Sequence, residues 1–133
     1  MRIVSAGVAG WLLIAGPAVA ASPPIDYARV VKAKTSRVQG HWARYVETSG
    51  SPCFAIQLFE SESLDTLIRQ KEICSLGKQQ FSSDFAYVGV ENTEFKHDHV
   101  HLEIDFTLLR MPGRNVRDCS VAIRHGYIGD LVC

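Results

Sequence analysis

The run Lys96-His97-Asp98-His99-Val100-His101-Leu102-Glu103-Ile104-Asp105-Phe106-Thr107 alternates polar and apolar residues from His99 onward. Successive side chains of a strand point to opposite faces, so residues two apart share a side. One side then carries Val100, Leu102, Ile104 and Phe106; the other carries His97, His99, His101, Glu103, Asp105 and Thr107. A helix would scatter both sets round its circumference, so the run predicts a half-buried strand. The chain must place a core on the aliphatic side and leave the histidine side for solvent or chemistry.

The four cysteines, Cys53, Cys74, Cys119 and Cys133, are the second constraint. No C-x-x-C pair occurs, which weakens a zinc-ribbon reading, and an even count in an exported chain reads as disulfides. Cys53 and Cys74 are symmetric about Ser63-Leu64, and Cys119 and Cys133 about Gly126. Two hairpins centred there would set each pair face to face, so Cys53–Cys74 and Cys119–Cys133 are the expected bridges. Export itself is read from the N-terminus: Met1-Arg2, an apolar stretch from Ile3 to Ile14, the Gly16-Pro17 break and Ala18-Val19-Ala20 resemble a cleaved signal peptide over 1–20. The expected organisation is therefore a leader at 1–20, an N-terminal segment at 21–36 and a single β-rich domain at 37–133. The expected location is periplasmic or secreted, with no membrane anchor left after cleavage.

Along the rest of the chain, Ile25, Ala28 and Val31 share a helical face after Pro23-Pro24, which favours a short helix over 25–34, although Val30-Val31 also suits extended chain. Val38 to Glu47 reads as one strand, Cys53 to Phe59 as another, and Thr48 to Pro52 as the turn between them. Ser61 to Gly77 fits either a helix capped by Ser63 or a returning strand, and the cysteine symmetry favours the strand. Phe85 to Val90 is apolar on both faces and reads as a central strand, with Asn92-Thr93-Glu94 turning into the histidine strand. Val116 to Arg124 and Tyr127 to Val132 form a closing hairpin. The fold class is all-β: a small antiparallel sandwich or barrel of about 6–8 strands with one short N-terminal helix.

Lys plus Arg and Asp plus Glu each number 14. Such a balance lacks the basic stripe that phosphate backbones require, so no nucleic-acid partner is expected. There is no G-x-S-x-G, no H-E-x-x-H and no phosphate-cradling glycine loop, and with four oxidised cysteines no thiolate remains. A binding module is expected in place of an enzyme, with a protein partner: an inhibitor or immunity-type factor against a hydrolase or toxin. Arg110, Arg114 and Arg117 surround the Pro112-Gly113 turn and are the candidate partner-binding residues, because guanidinium groups on a protruding loop suit acidic groups of a partner.

The histidine side has three open readings: the wet face of a sheet, a pH-responsive surface, or a divalent-metal site for zinc or copper at His97, His99 and His101. Residues two apart on a strand lie about 6.6 Å apart and four apart about 13 Å, so only adjacent pairs could share an ion. A third ligand would have to come from elsewhere, with His41 or Glu91 as candidates. No resident cofactor is expected otherwise. Glu103 and Asp105 have a spacing that glycosidase carboxylates also show, but so does any polar strand.

Gly40-His41-Trp42 resembles the G-x-W near the start of lipocalins and the opening of small exported metalloprotease inhibitors. Cys53 and Cys74 follow at a broadly similar placement. The resemblance covers Val38 to Cys74 and implies a β-barrel with a disulfide. The histidine strand and the terminal cysteine hairpin have no counterpart in it.

Overall fold

The computed structural model describes residues 24–60 and 63–133. The expected leader lies outside them. Asp26 caps a single 3-10 turn, Tyr27–Arg29, by accepting from the Ala28 N–H at 3.1 Å. That turn leads straight into β1 (Val30–Val38), so the helix expected over 25–34 does not form. The β-branched pair Val30-Val31 takes extended backbone, and β1 pairs with β2 (His41–Thr48) from Val30 opposite Thr48 onward. The single strand expected from Val38 to Glu47 is likewise two strands. Gln39 and Gly40, at φ 54° and 73°, make a two-residue hairpin turn between them, which throws Val38 inward and Trp42 outward.

β2 continues to β3 (Phe54–Phe59) and β4 (Leu67–Ile73), completing an antiparallel four-stranded meander. A two-stranded clip, β5 (Ser75–Leu76) and β6 (Gln79–Gln80), precedes a second meander of β7 (Phe85–Phe95), β8 (His99–Leu108), β9 (Asn115–Arg124) and β10 (Tyr127–Val132). The two sheets pack as a sandwich, with β1 against β7 and β4 against β10. Val100, Leu102, Ile104 and Phe106 face inward with at most 4% exposure, as their spacing predicts, and meet Ala43, Tyr45, Phe54, Ile56 and Leu58 of the first sheet. Phe81, in the link before β7, plugs one end of the sandwich. Its ring lies 6.4 Å from Phe54 and 5.6 Å from Phe85.

Both expected disulfides are present. The β3–β4 register sets Phe54 opposite Ile73, and one step further brings Cys53 to Cys74 with a Cα–Cα distance of 4.5 Å. The second bridge needs more than a hairpin. The His125-Gly126 turn, with φ of 51° and 76°, sets Ile128 opposite Ile123, and that register would bring Cys133 to Asp118. A shift between Ile128 and Leu131 adds one residue to β10, so Val132 faces Ser120 and Cys133 meets Cys119 at a Cα–Cα distance of 4.0 Å.

β7 also departs from expectation. It is an edge strand, and it runs through Asn92-Thr93-Glu94 to Phe95, the turn falling at 96–98. Register shifts at Ala86 and Glu91 explain why its apolar residues fall on both sequence phases: each extra residue restores the inward row of Val88, Val90, Thr93 and Phe95.

The open sides of the sandwich are closed by cations. Lys32 and Lys34 share the inward row of β1, and Arg69 and Lys71 that of β4. Lys32 Nζ donates to the Val90 carbonyl at 3.0 Å and Lys34 Nζ to that of Thr93. On the other side, Arg69 Nε donates to the Gly126 carbonyl and Lys71 Nζ to that of Gly129, each at 3.0 Å. Inward-pointing charges at sheet edges oppose edge-to-edge pairing, and here they also bind the two sheets together.

Candidate functional site

The outer face of the first sheet is closed. Gln57 points outward from β3 yet is fully buried. Its Oε1 accepts from Arg44 Nε at 2.9 Å, and its Nε2 donates to Gln70 Oε1 at 2.8 Å and to the Tyr27 hydroxyl at 3.1 Å. The Arg44 guanidinium lies 4.8 Å from the Phe59 ring centre and 5.3 Å from that of Tyr27. Tyr27 and Arg44 thus lie across a face whose polar groups are satisfied, an arrangement that suits stability.

The outer face of the second sheet is open and charged. His99, His101, Glu103, Asp105 and Thr107 occupy it on β8, with Glu94, Asn92 and Gly89 beside them on β7 and Ala122, Ser120, Asp118 and Val116 on β9. Glu103 stands directly opposite Asp118, a repulsive cross-strand pair. His101 Nε2 is 3.4 Å from Asp118 Oδ1, while its buried Nδ1 has no partner among the described residues. His99 Nδ1 is 2.7 Å from Asp98 Oδ1, and this imidazole holds the Asp98 carboxyl below the usual carboxylate range. Lys96, 2.8 Å from Glu94, does the same there.

The three histidines do not form one row. His97 lies in the 96–98 turn, where its carbonyl accepts from the Gln39 N–H at 3.0 Å; only His99 and His101 share the strand face. The reason is the position of the turn, four residues later than the sequence suggests. Of the outside candidates, His41 lies by the β1–β2 turn with Nδ1 3.1 Å from the Gln39 carbonyl, and Glu91 sits on the second β7 bulge. Among the described residues, the one set of three metal-type donors within 4.8 Å of one another is Cys53, Glu72 and Cys74. Its sulfurs are joined to each other, so it offers no thiolate.

The arginine trio is also divided. Arg117 turns over the Phe106 ring, 5.7 Å from its centre. Arg114 Nε donates to Asp105 Oδ2 at 2.6 Å, and this carboxylate pushes the guanidinium further towards its charged form. Asp105 is 7% exposed, and its other oxygen has no partner among the described residues. Arg110 is exposed and makes no hydrogen bond or ion pair among the described residues. Around these cations lie four large apolar side chains that sequence reasoning missed: Tyr87, Leu109, Met111 and Val116, between 50% and 65% exposed. Tyr87 and Val116 flank β8 at Thr107 and Asp105, beside the 109–114 loop that carries the other two. Leu109 and Met111 beside Pro112-Gly113 were the available signal, since apolar residues in a turn-rich loop have no core to reach.

Comparison with protein-family models, curated proteins and solved structures found no match. The two sheets are separate, in contrast to the closed barrel that the G-x-W resemblance implies. Among the described residues, no helix is long and apolar enough to cross a membrane, which says nothing of strands. The two disulfides are compatible with an oxidising compartment.

Proposed function

We propose that this is an exported, disulfide-stapled binding protein that engages another protein through the β8–β9 end of its second sheet. The observation that carries this reading is the exposure of Tyr87, Leu109, Met111 and Val116 at one end of the second sheet, where Tyr87 and Val116 flank β8 and the loop carries Leu109, Arg110, Met111 and Arg114. Exposed apolar side chains grouped at one place, with an arginine free at their rim, have the composition of protein-binding surfaces. The buried Asp105 carboxylate holds Arg114, and through it the loop, on a rigid strand. The partner is expected to offer an apolar recess with acidic groups at its edge; a hydrolase or toxin held inactive is the most concrete version. Affinity capture from the extracytoplasmic fraction of the source cells tests this. A discrete partner retained by the wild type and lost with Met111→Asp or Arg110→Glu supports it, and the same recovery with both variants overturns it.

A second reading, a divalent-metal site on the histidine face, draws on one observation. Asp98 engages His99 Nδ1, the kind of outer-shell contact that leaves Nε2 free for a metal. Titration calorimetry with zinc and with copper, using His99→Ala as control, decides it: heat lost in the variant supports the site, and no heat retires it.

A further inference from the structure

We infer that the seam between β1 and β7 takes up an extended, basic peptide as an added strand on β7. The backbone of an edge strand bonds its sheet with alternate residues and turns the others outward. Lys32 fixes the phase: it reaches the Val90 carbonyl from outside the sheet, so Val90 and, two residues earlier, Val88 face the seam. The lysine clasp covers the carbonyls of Val90 and Thr93 and goes no lower. Below it, the N–H and carbonyl of Val88 have no partner among the described residues. That is the unpaired edge on which strand addition depends.

The space beside this edge has a shape and a charge. A groove of about 360 Å³ runs between the strands, lined among others by Val31, Pro52, Tyr87 and Val88. Val31, at the register shift of β1, is 66% exposed beside it. The charged side chains of its lining are Glu47 and Glu91, both acidic. Gly89 makes room for Tyr87 beside the edge: a Cβ there would stand 2.2 Å from the Tyr87 hydroxyl, whose side chain folds back over the glycine. Backbone groups give such a site affinity for any extended chain, apolar walls select side chains on one side of it, and the two carboxylates favour lysine or arginine. A second copy of this chain fits poorly, because pairing β7 with β7 brings Glu91 and Glu47 towards their own likes.

This inference shares with the loop reading the premise that the domain binds protein and one residue, Tyr87; the variants that test each lie elsewhere, so the two fail separately. The probe is an array of hexapeptides alternating lysine or arginine with valine, isoleucine or tyrosine, followed by hydrogen exchange on the full chain with the tightest binder. The expected result is binding in which the Val88 and Val90 amides slow about tenfold or more, as strand pairing requires. N-methylation of the peptide at its edge-facing amides abolishes that binding. Val88→Pro, which removes an N–H the sheet itself does not use, and Glu91→Gln each weaken it about tenfold. Protection elsewhere, indifference to peptide N-methylation, or no binder at millimolar peptide overturns the inference. The N-methyl control acts on the unaltered protein, so the result stands even if the proline variant does not fold. Met111→Asp, which breaks the loop surface, leaves this binding unchanged.

Discussion

On the outer side of the first sheet, Gln57 is fully buried and both ends of its amide are bonded; on the outer side of the second, Asp105 is nearly as buried and one of its oxygens is unmatched. Both are polar residues in the middle of central strands, facing away from the shared core. The first belongs to a network lidded by Tyr27 and Arg44, whereas the second stands among half-exposed histidines and carboxylates, with Glu103 against Asp118. Satisfied networks fix a structure, and unsatisfied, mutually repelling ones are retained at a cost in stability. The difference fits structural work for the first face and supports the recognition role we propose for the second.

Several substitutions probe that division, and the largest effect concerns what the sheets have in common. Each carries one bridge across its last hairpin, closing 21 and 14 residues of sequence. Replacing either cysteine pair with alanine is expected to lower unfolding free energy by about 3 kcal/mol in urea titrations. A loss confined to one pair would show that the sheets do not unfold together.

Next comes Gln57→Ala, which removes the hydrogen bonds that Gln57 makes with Arg44, Gln70 and Tyr27 and is expected to cost about 2 kcal/mol or more. The matching change on the other face, Glu103→Gln, removes a like-charge pair and is expected to stabilise by a few tenths of a kcal/mol. Equal costs at the two positions would remove the contrast.

pH separates the sheets as well. Tyr45, in the core of the first, is fully buried and donates to Glu47 at 2.5 Å; burial first, and then that carboxylate, push its phenol far above its ordinary value of 10.0. The folded state keeps the proton that the unfolded chain loses, so the stability Tyr45 contributes is present below pH 10 and lost as pH rises past it. Tyr45→Phe should flatten that alkaline limb in thermal melts. In the second sheet the shifts run the other way. Hydrogen bonds from His99, Lys96 and Lys71 hold Asp98, Glu94 and Asp130 below their ordinary values. Their smaller contribution is present above the usual carboxylate range and fades as pH falls through it, and added salt should shrink it.

Sequence periodicity located the parts of the fold where a strict period of two survives. The aliphatic row of β8 obeys it throughout, and the Cys53–Cys74 hairpin obeys it from the disulfide to Leu58 opposite Arg69, so both could be read directly. Where bulges or unusual turns intervene, the period breaks. Gln39-Gly40 supports a tight turn without the Asn or Asp that usually announces one, and Ala86 and Glu91 each reset the phase of β7. The Cys119–Cys133 pairing was legible because symmetry about Gly126 already contains the extra residue of the β10 bulge. At the candidate site, the sequence drew attention to Arg110, Arg114 and Arg117 but not to their division of labour. That division depends on which side of β9 faces Phe106 and on the carboxylate of Asp105, both of which are matters of register.

The most direct test of the proposed recognition surface is site-specific photo-crosslinking in extracytoplasmic extract, with the reactive side chain placed at Met111 and, as control, at Thr35 on the first sheet. A single discrete adduct from Met111, absent from Thr35 and lost when Arg110 becomes Glu, is the predicted result. Adducts of the same pattern from both positions, or none from Met111, would contradict it.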